Sequence, residues 1–164
     1  MKLVALAFLA VAGTTPFHSI NLLKAFRAQL PKIHRTTSVP VLLPRSLPLA
    51  GKERFRVYAT GGTTRKSWDL ELAAAPDCGG ANACFIASFE GKRGGKLPRK
   101  SNLRLANGDR AVFQDVSCGA SCAPASLWFV HRRVLYEWQF KVPPKHTRTV
   151  MARLAADAIR AGRR

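Results

Sequence analysis

Three sets of side chains in this sequence have the chemistry to build a site: four cysteines, a few histidines and acids, and a dense run of lysines and arginines. The cysteines, Cys78, Cys84, Cys118 and Cys122, are spaced C-x5-C and C-x3-C. Four thiolates can hold zinc, and paired thiols can form disulfides. No C-x-x-C occurs, so a thioredoxin-like redox motif and a c-type haem site both lack their spacing. The histidines, His18, His34, His131 and His146, form no H-E-x-x-H and no other local pair, and neither a metal nor a cofactor is expected. His131 falls near a hairpin end, where a solvated role is expected. Asp69 and Glu71 alternate outward on one candidate strand and Glu137 on another. Were those strands neighbours, they would offer the carboxylate pair that glycoside hydrolysis requires. The simpler expectation is that these acids pair with Arg54 and Arg56 across the sheet. No Gly-x-Ser-x-Gly elbow activates a serine, and neither Gly61-Gly62 nor Gly79-Gly80 opens a helix as a phosphate loop would.

The basic residues are the strongest functional signal. From Gly91 to Arg104 the chain carries Lys92, Arg93, Lys96, Arg99, Lys100 and Arg104 with no acid. Together with Arg132, Arg133, Arg163 and Arg164 they are expected to form an anion-binding surface. The competing reading is that the excess charge serves solubility alone. The whole chain has 27 Lys+Arg against 9 Asp+Glu, a net charge of +18. Nucleic acid is a poor fit, because the aromatic residues fall at inward strand positions instead of forming a stacking platform.

These side chains belong to a short chain. At 164 residues it has the length of one domain and can bury a sizeable core without a metal. Residues 1–12 read as a signal peptide: Lys2 is a minimal basic region, Leu3 to Ala12 is apolar, and Ala10-Val11-Ala12 fits small-x-small cleavage. That apolar run is too short to span a bilayer. Export selects among the polyanions, leaving phosphate polymers of the cell wall and anionic lipid head groups. An oxidising compartment also favours disulfides over zinc. Of the three connectivities, Cys78–Cys84 and Cys118–Cys122 are favoured, since each pair brackets Gly-containing turn sequence.

The elements that must position the basic residues read as follows. Leu22, Leu23, Phe26, Leu30 and Ile33 share a face at helical spacing, a helix that Thr15-Pro16 would start and Pro31 would end. Prolines at 40, 44 and 48 confine the next segment to an edge strand or a short extended run, the entry ribbon of the fold. Phe55 to Ala59, Ser67 to Ala73 and Cys84 to Phe89 alternate as strands of a meander, with Gly61-Gly62 as the first turn. The basic segment is expected to be a long exposed hairpin loop. Leu103, Leu105 and then Arg110 to Val116 flank an Asn107-Gly108 turn. Leu127 to His131 and Val134 to Val142 form the last strand pair. Arg132-Arg133 is poor in a tight turn that wants positive φ, so a wider loop is expected there. A C-terminal helix, capped by Thr147 or Thr149, carries Val150, Met151, Leu154, Ala155, Ala158 and Ile159 before Gly162.

The Trp128-to-Tyr136 strand pair followed by Leu154-Ala-x-x-Ala-Ile159 resembles the end of small secreted bacterial domains similar in architecture to PsbP-like proteins. Pro40-Val-Leu-Leu-Pro44, Cys78-Gly-Gly-Ala-Asn-Ala-Cys84 and Cys118-Gly-Ala-Ser-Cys122 resemble exported proteins of high-GC Gram-positive bacteria. The resemblance covers about Val39 to Gly162, and Arg132-Arg133 departs from the Gly-containing turn it leads one to expect. It implies a fold and an address and transfers no catalytic residue.

The expectation is therefore an α+β fold: a single twisted antiparallel sheet of about six to seven strands, packed by an N-terminal and a C-terminal helix. Residues 1–12 form the signal peptide, 13–38 an N-terminal helix and linker, and 39–164 the α+β domain. The expected function is a secreted, non-catalytic envelope module that binds anionic wall polymers or lipid head groups. A small secreted hydrolase with a site assembled only by folding is the alternative.

Overall fold

The structure, a computed structural model, describes residues 18–49, 56–79, 83–141 and 146–162. The expected signal peptide, residues 1–12, and Arg54, Phe55, Arg163 and Arg164 lie outside them. In chain order the elements are β1 (His18–Asn21), α1 (Leu22–Ala25), α2 (Leu30–Thr36), β2 (Ser46–Leu49), β3 (Tyr58–Thr64), β4 (Ser67–Ala73) and β5 (Phe85–Arg93). They continue with β6 (Leu103–Arg104), β7 (Arg110–Gln114), β8 (Ser117–Cys118), β9 (Cys122–Ala123), β10 (Ala125–His131), β11 (Val134–Phe140) and α3 (Thr147–Ala161).

Seven strands form one antiparallel sheet in the order β3-β4-β5-β11-β10-β7-β6. Two meanders meet where β11 returns to pair with β5. Register explains why this pairing is unique. Leu70, Phe89, Trp138, Leu127 and Phe113 stand opposite one another across five strands, and Trp68, Gly91, Tyr136, Phe129 and Ala111 form the row beside them. A slip of one residue would turn both rows to solvent. Phe89 packs edge-on against Phe26 and Trp138, and Phe129 stacks on Tyr136. Each large side chain buried here contributes about 1.5–3 kcal/mol. Gly91 is required by this packing, since a Cβ there would lie 2.6 Å from the Trp68 indole.

The N-terminal segment differs from the single helix expected. Pro31 sits in the first turn of α2, where its missing N–H costs nothing, so it starts a second short helix instead of ending the first. Leu22, Phe26 and Ile33 join the same core as the sheet. The proline-rich segment is extended, as expected, and ends in β2, which pairs with β1 as a two-stranded ribbon. Val39, Val41, Leu42 and Leu43 are buried, and Pro40 O accepts hydrogen bonds from Trp68 Nε1 (3.2 Å) and Tyr136 Oη (3.1 Å). Burial raises the Tyr136 hydroxyl far above the ordinary phenol range, keeping it a donor. At the other end, α3 buries Met151, Ala155 and Ala158, and stops at Gly162 (φ 76°), whose N–H reaches Ala158 O and Ile159 O. Its N-cap is His146, with no side-chain cap, in place of either threonine.

Strand β3 runs straight through Gly61 and Gly62, and the turn falls at Arg65 and Lys66. The glycines let the neighbouring strand approach: a Cβ on Gly61 would lie 2.8 Å from Leu70 Cδ2, and Gly62 N–H donates to Asp69 Oδ2 at 3.0 Å. Both disulfides, Cys78–Cys84 and Cys118–Cys122, are formed. The first closes the β4–β5 connection and the second ties the β8–β9 ribbon between β7 and β10, so both lie at one end of the sheet. The opposite end carries the β3–β4 and β10–β11 turns and the end of β5.

Candidate functional site

That second end is built by three short backbone segments hydrogen-bonded in series. Thr64 and Ser67 close the Arg65-Lys66 turn, and Thr37 Oγ1 donates to Arg65 O at 3.0 Å. Lys66 O then accepts from Arg93 N at 2.9 Å, and Gly94 N donates to Arg133 O at 2.9 Å. Six cations follow from this chain of bonds: Arg65, Lys66, Lys92, Arg93, Arg132 and Arg133, all exposed. Arg93 is oriented further by its Nη2, which donates to Ser38 O and Ser38 Oγ at 3.1 Å each. The ion pairs among the described residues are His131–Asp109 and Arg160–Asp157, so none of the six has a carboxylate in pairing distance there.

The β10–β11 connection is the two-residue turn that its sequence disfavours. His131 pairs with Val134, and Arg132 and Arg133 adopt φ of 49° and 63°. These are the only non-glycine positive φ values among the described residues. A left-handed backbone costs roughly 1–2 kcal/mol for a residue with a Cβ. The tight register of two long strands imposes it, since the aromatic rows fix His131 opposite Val134 and leave two residues to close the loop.

Beside the tip, His131 Nδ1 meets Asp109 Oδ2 at 2.7 Å, and Asn107 Nδ2 donates to the same oxygen at 2.6 Å. His131 is thus paired and mostly buried, contrary to the solvated role expected for it. The pair fastens the β6–β7 turn to the hairpin tip. It brings in Arg104, whose Nη1 donates to Gly108 O at 2.9 Å, and Arg110, which stands opposite Arg104 in the register.

Residues 94–102 form no hairpin loop, because β5 and β6 are four strands apart in the sheet. They cross the outer face diagonally. Gly95 lies against Leu135, and Arg99 Nη2 reaches Phe113 O and Gln114 Oε1, both at 3.4 Å. Val112, on the outer face beneath this path, is fully buried. Of the expected anion-binding residues, Lys92, Arg93, Arg132 and Arg133 therefore converge, and Arg104 extends the row at the far edge. Lys96 sits on the crossing loop, and Arg99 is carried to the opposite end of β7, with Lys100 next to it. The sequence reading missed Arg65 and Lys66, because the two glycines drew the turn too early; Thr60 to Thr64, continuing the strand, was the available signal.

The acids are arranged differently from either expectation. Asp69, Glu90 and Glu137 stand opposite one another on β4, β5 and β11, so β5 lies between the strands that carry Asp69 and Glu137. Asp69 and Glu71 face Gly62 and Thr60 on β3, which leaves no arginine opposite them there. Partial burial raises the Glu90 carboxyl above its ordinary pKa, and Glu137 and Asp69 raise it further, against the opposing pull of Lys92. This row lies on the outer face of the sheet. Among the described residues no group of three metal-ligating side chains comes together, and no helix is long and apolar enough to cross a membrane. The two disulfides fit an extracytoplasmic protein. No family model, curated protein or solved structure matches the chain.

Proposed function

We propose that this protein is a secreted, non-catalytic envelope module that binds phosphate-bearing anionic material through the basic end of its sheet. The observation that carries this reading is the convergence of Arg65, Lys66, Lys92, Arg93, Arg132 and Arg133 from three hydrogen-bonded segments, with no carboxylate among the described residues paired to them. Unpaired cations repel one another, and a fold that gathers six of them at one end gains nothing in stability from doing so. The left-handed arginines add a local backbone cost at the same place, which is where functional sites keep strain. The resemblance to exported domains, the signal-peptide pattern and the disulfides support a partner outside the cell, where wall phosphodiester polymers and lipid head groups offer the same chemistry. The test is binding of the mature protein to purified anionic wall polymer and to phosphatidylglycerol vesicles at rising salt. Binding that falls steeply towards physiological salt supports the reading. Failure to bind either at low salt overturns it.

A further inference from the structure

Resting on that reading, we infer that the ligand is a linear phosphate-bearing chain laid across the strand ends, perpendicular to the strands, and not the flat surface of a bilayer. The cations form a line. They come in pairs: Arg65 and Lys66 between β3 and β4, Lys92 and Arg93 on β5, Arg133 and Arg132 between β11 and β10, and Arg110 with Arg104 on β7 and β6. At about 4.8 Å per strand, the first three pairs span about 14 Å and all four about 24 Å. The His131–Asp109 contact ties the β6–β7 turn, and with it the last pair, to the hairpin tip.

The line is also curved. Neighbouring strands rotate by about 20–25°, so five strand spacings turn the strand direction by about 100–125° from one end of the row to the other. A plane set against the hairpin tip meets the middle pairs and leaves the outer ones turned away. A flexible chain follows the curve and reaches all four. The tip sits at the centre of the path, and the backbone bonds that link it to Gly94 and through Arg93 to Lys66 keep the cations in order before a ligand arrives. Such preorganisation limits the ordering cost of binding a chain.

The experiment measures affinity of the full mature chain for inorganic triphosphate, for polyphosphates of about 15 and about 60 phosphates, and for phosphatidylglycerol vesicles. The expected result is a gain of about 100-fold or more from triphosphate to the 15-mer, and beyond it only the increase due to more start positions. With six to eight cations engaged, log K against log salt should slope at about −4 to −6 for the longer chains. Arg104→Gln with Arg110→Gln should weaken the 15-mer by a larger factor than triphosphate, which still has three pairs to occupy. Equal affinity for triphosphate and the long chains overturns the inference and leaves the proposed function standing. So does tighter binding to vesicles, per accessible phosphate, with no effect of the Arg104 and Arg110 changes. No binding to any of these probes at low salt overturns both.

Discussion

The hairpin tip makes one prediction that separates function from folding. Arg132 and Arg133 occupy the two positions that Asn-Gly fills best in a two-residue turn. Consider Arg132→Asn with Arg133→Gly. Relief of the left-handed backbone at position 133 gives about 1–2 kcal/mol, less about 0.4–1 kcal/mol for the freedom glycine adds to the unfolded chain. Asparagine at 132 tolerates the same region better than arginine and adds a few tenths of a kcal/mol, roughly. The net is a stabilisation of about 1 kcal/mol, which for a chain of this length raises Tm by about 3 °C. Polyanion binding should move the other way. Two cations lost at about 1 kcal/mol each is a fall of about 30-fold. Thermal unfolding and a low-salt binding titration on the same preparations read both effects. A double variant no more stable than the parent refutes the strain; a stabilised variant with unchanged binding refutes the tip's role.

Other outcomes follow from the rest of the structure. Glu90→Gln should stabilise the protein by a few tenths of a kcal/mol, roughly, near neutral pH, a small effect because the side chain keeps contact with solvent. Because the folded carboxyl holds its proton more tightly than the unfolded one, its contribution is fully present below the unfolded pKa and is lost as pH rises through the folded one. The difference between variant and parent in urea titrations should therefore vanish in acid. Phe89→Ala should cost about 3–5 kcal/mol in denaturant unfolding, since that ring meets Phe26, Trp138 and Phe140. Gly91→Ala should cost about 1–3 kcal/mol by driving a methyl into Trp68. Cys118→Ser with Cys122→Ser opens a short ribbon at the far end of the sheet. It should cost at most about 2 kcal/mol and leave polyanion affinity unchanged.

The alternation of Tyr136, Trp138 and Phe140 and the apolar stripe of α3 were legible because burial on one face imposes a period that local sequence carries. Both disulfides were legible because each closes within one loop. What sequence could not carry was decided by contacts between distant residues. Gly61 and Gly62 look like a turn in isolation and are a close approach to β4 in the fold. Arg132 and Arg133 look too costly for a tight turn, yet the aromatic rows on both flanking strands outweigh about 1–2 kcal/mol per residue. The site was half visible for the same reason. Composition marked Lys92 to Arg104 as one basic run, but the crossing of residues 94–102 over the outer face divides it between the two ends of the sheet. Arg65, Lys66 and the His131–Asp109 pair enter only through the strand order.

The central claim is that position, more than net charge, makes the basic end a binding site. It is tested most directly by two variants of equal charge loss. One neutralises Arg65, Lys66, Arg132 and Arg133 to glutamine. The other neutralises Lys24, Arg45, Lys100 and Arg153, which are exposed elsewhere on the molecule. Affinity for long-chain polyphosphate at low salt is the readout. The first variant should lose most of the affinity and flatten the salt slope by about 3, while the second should stay close to the parent. Equal losses in the two variants would contradict the claim, leaving a protein that binds anions by charge alone.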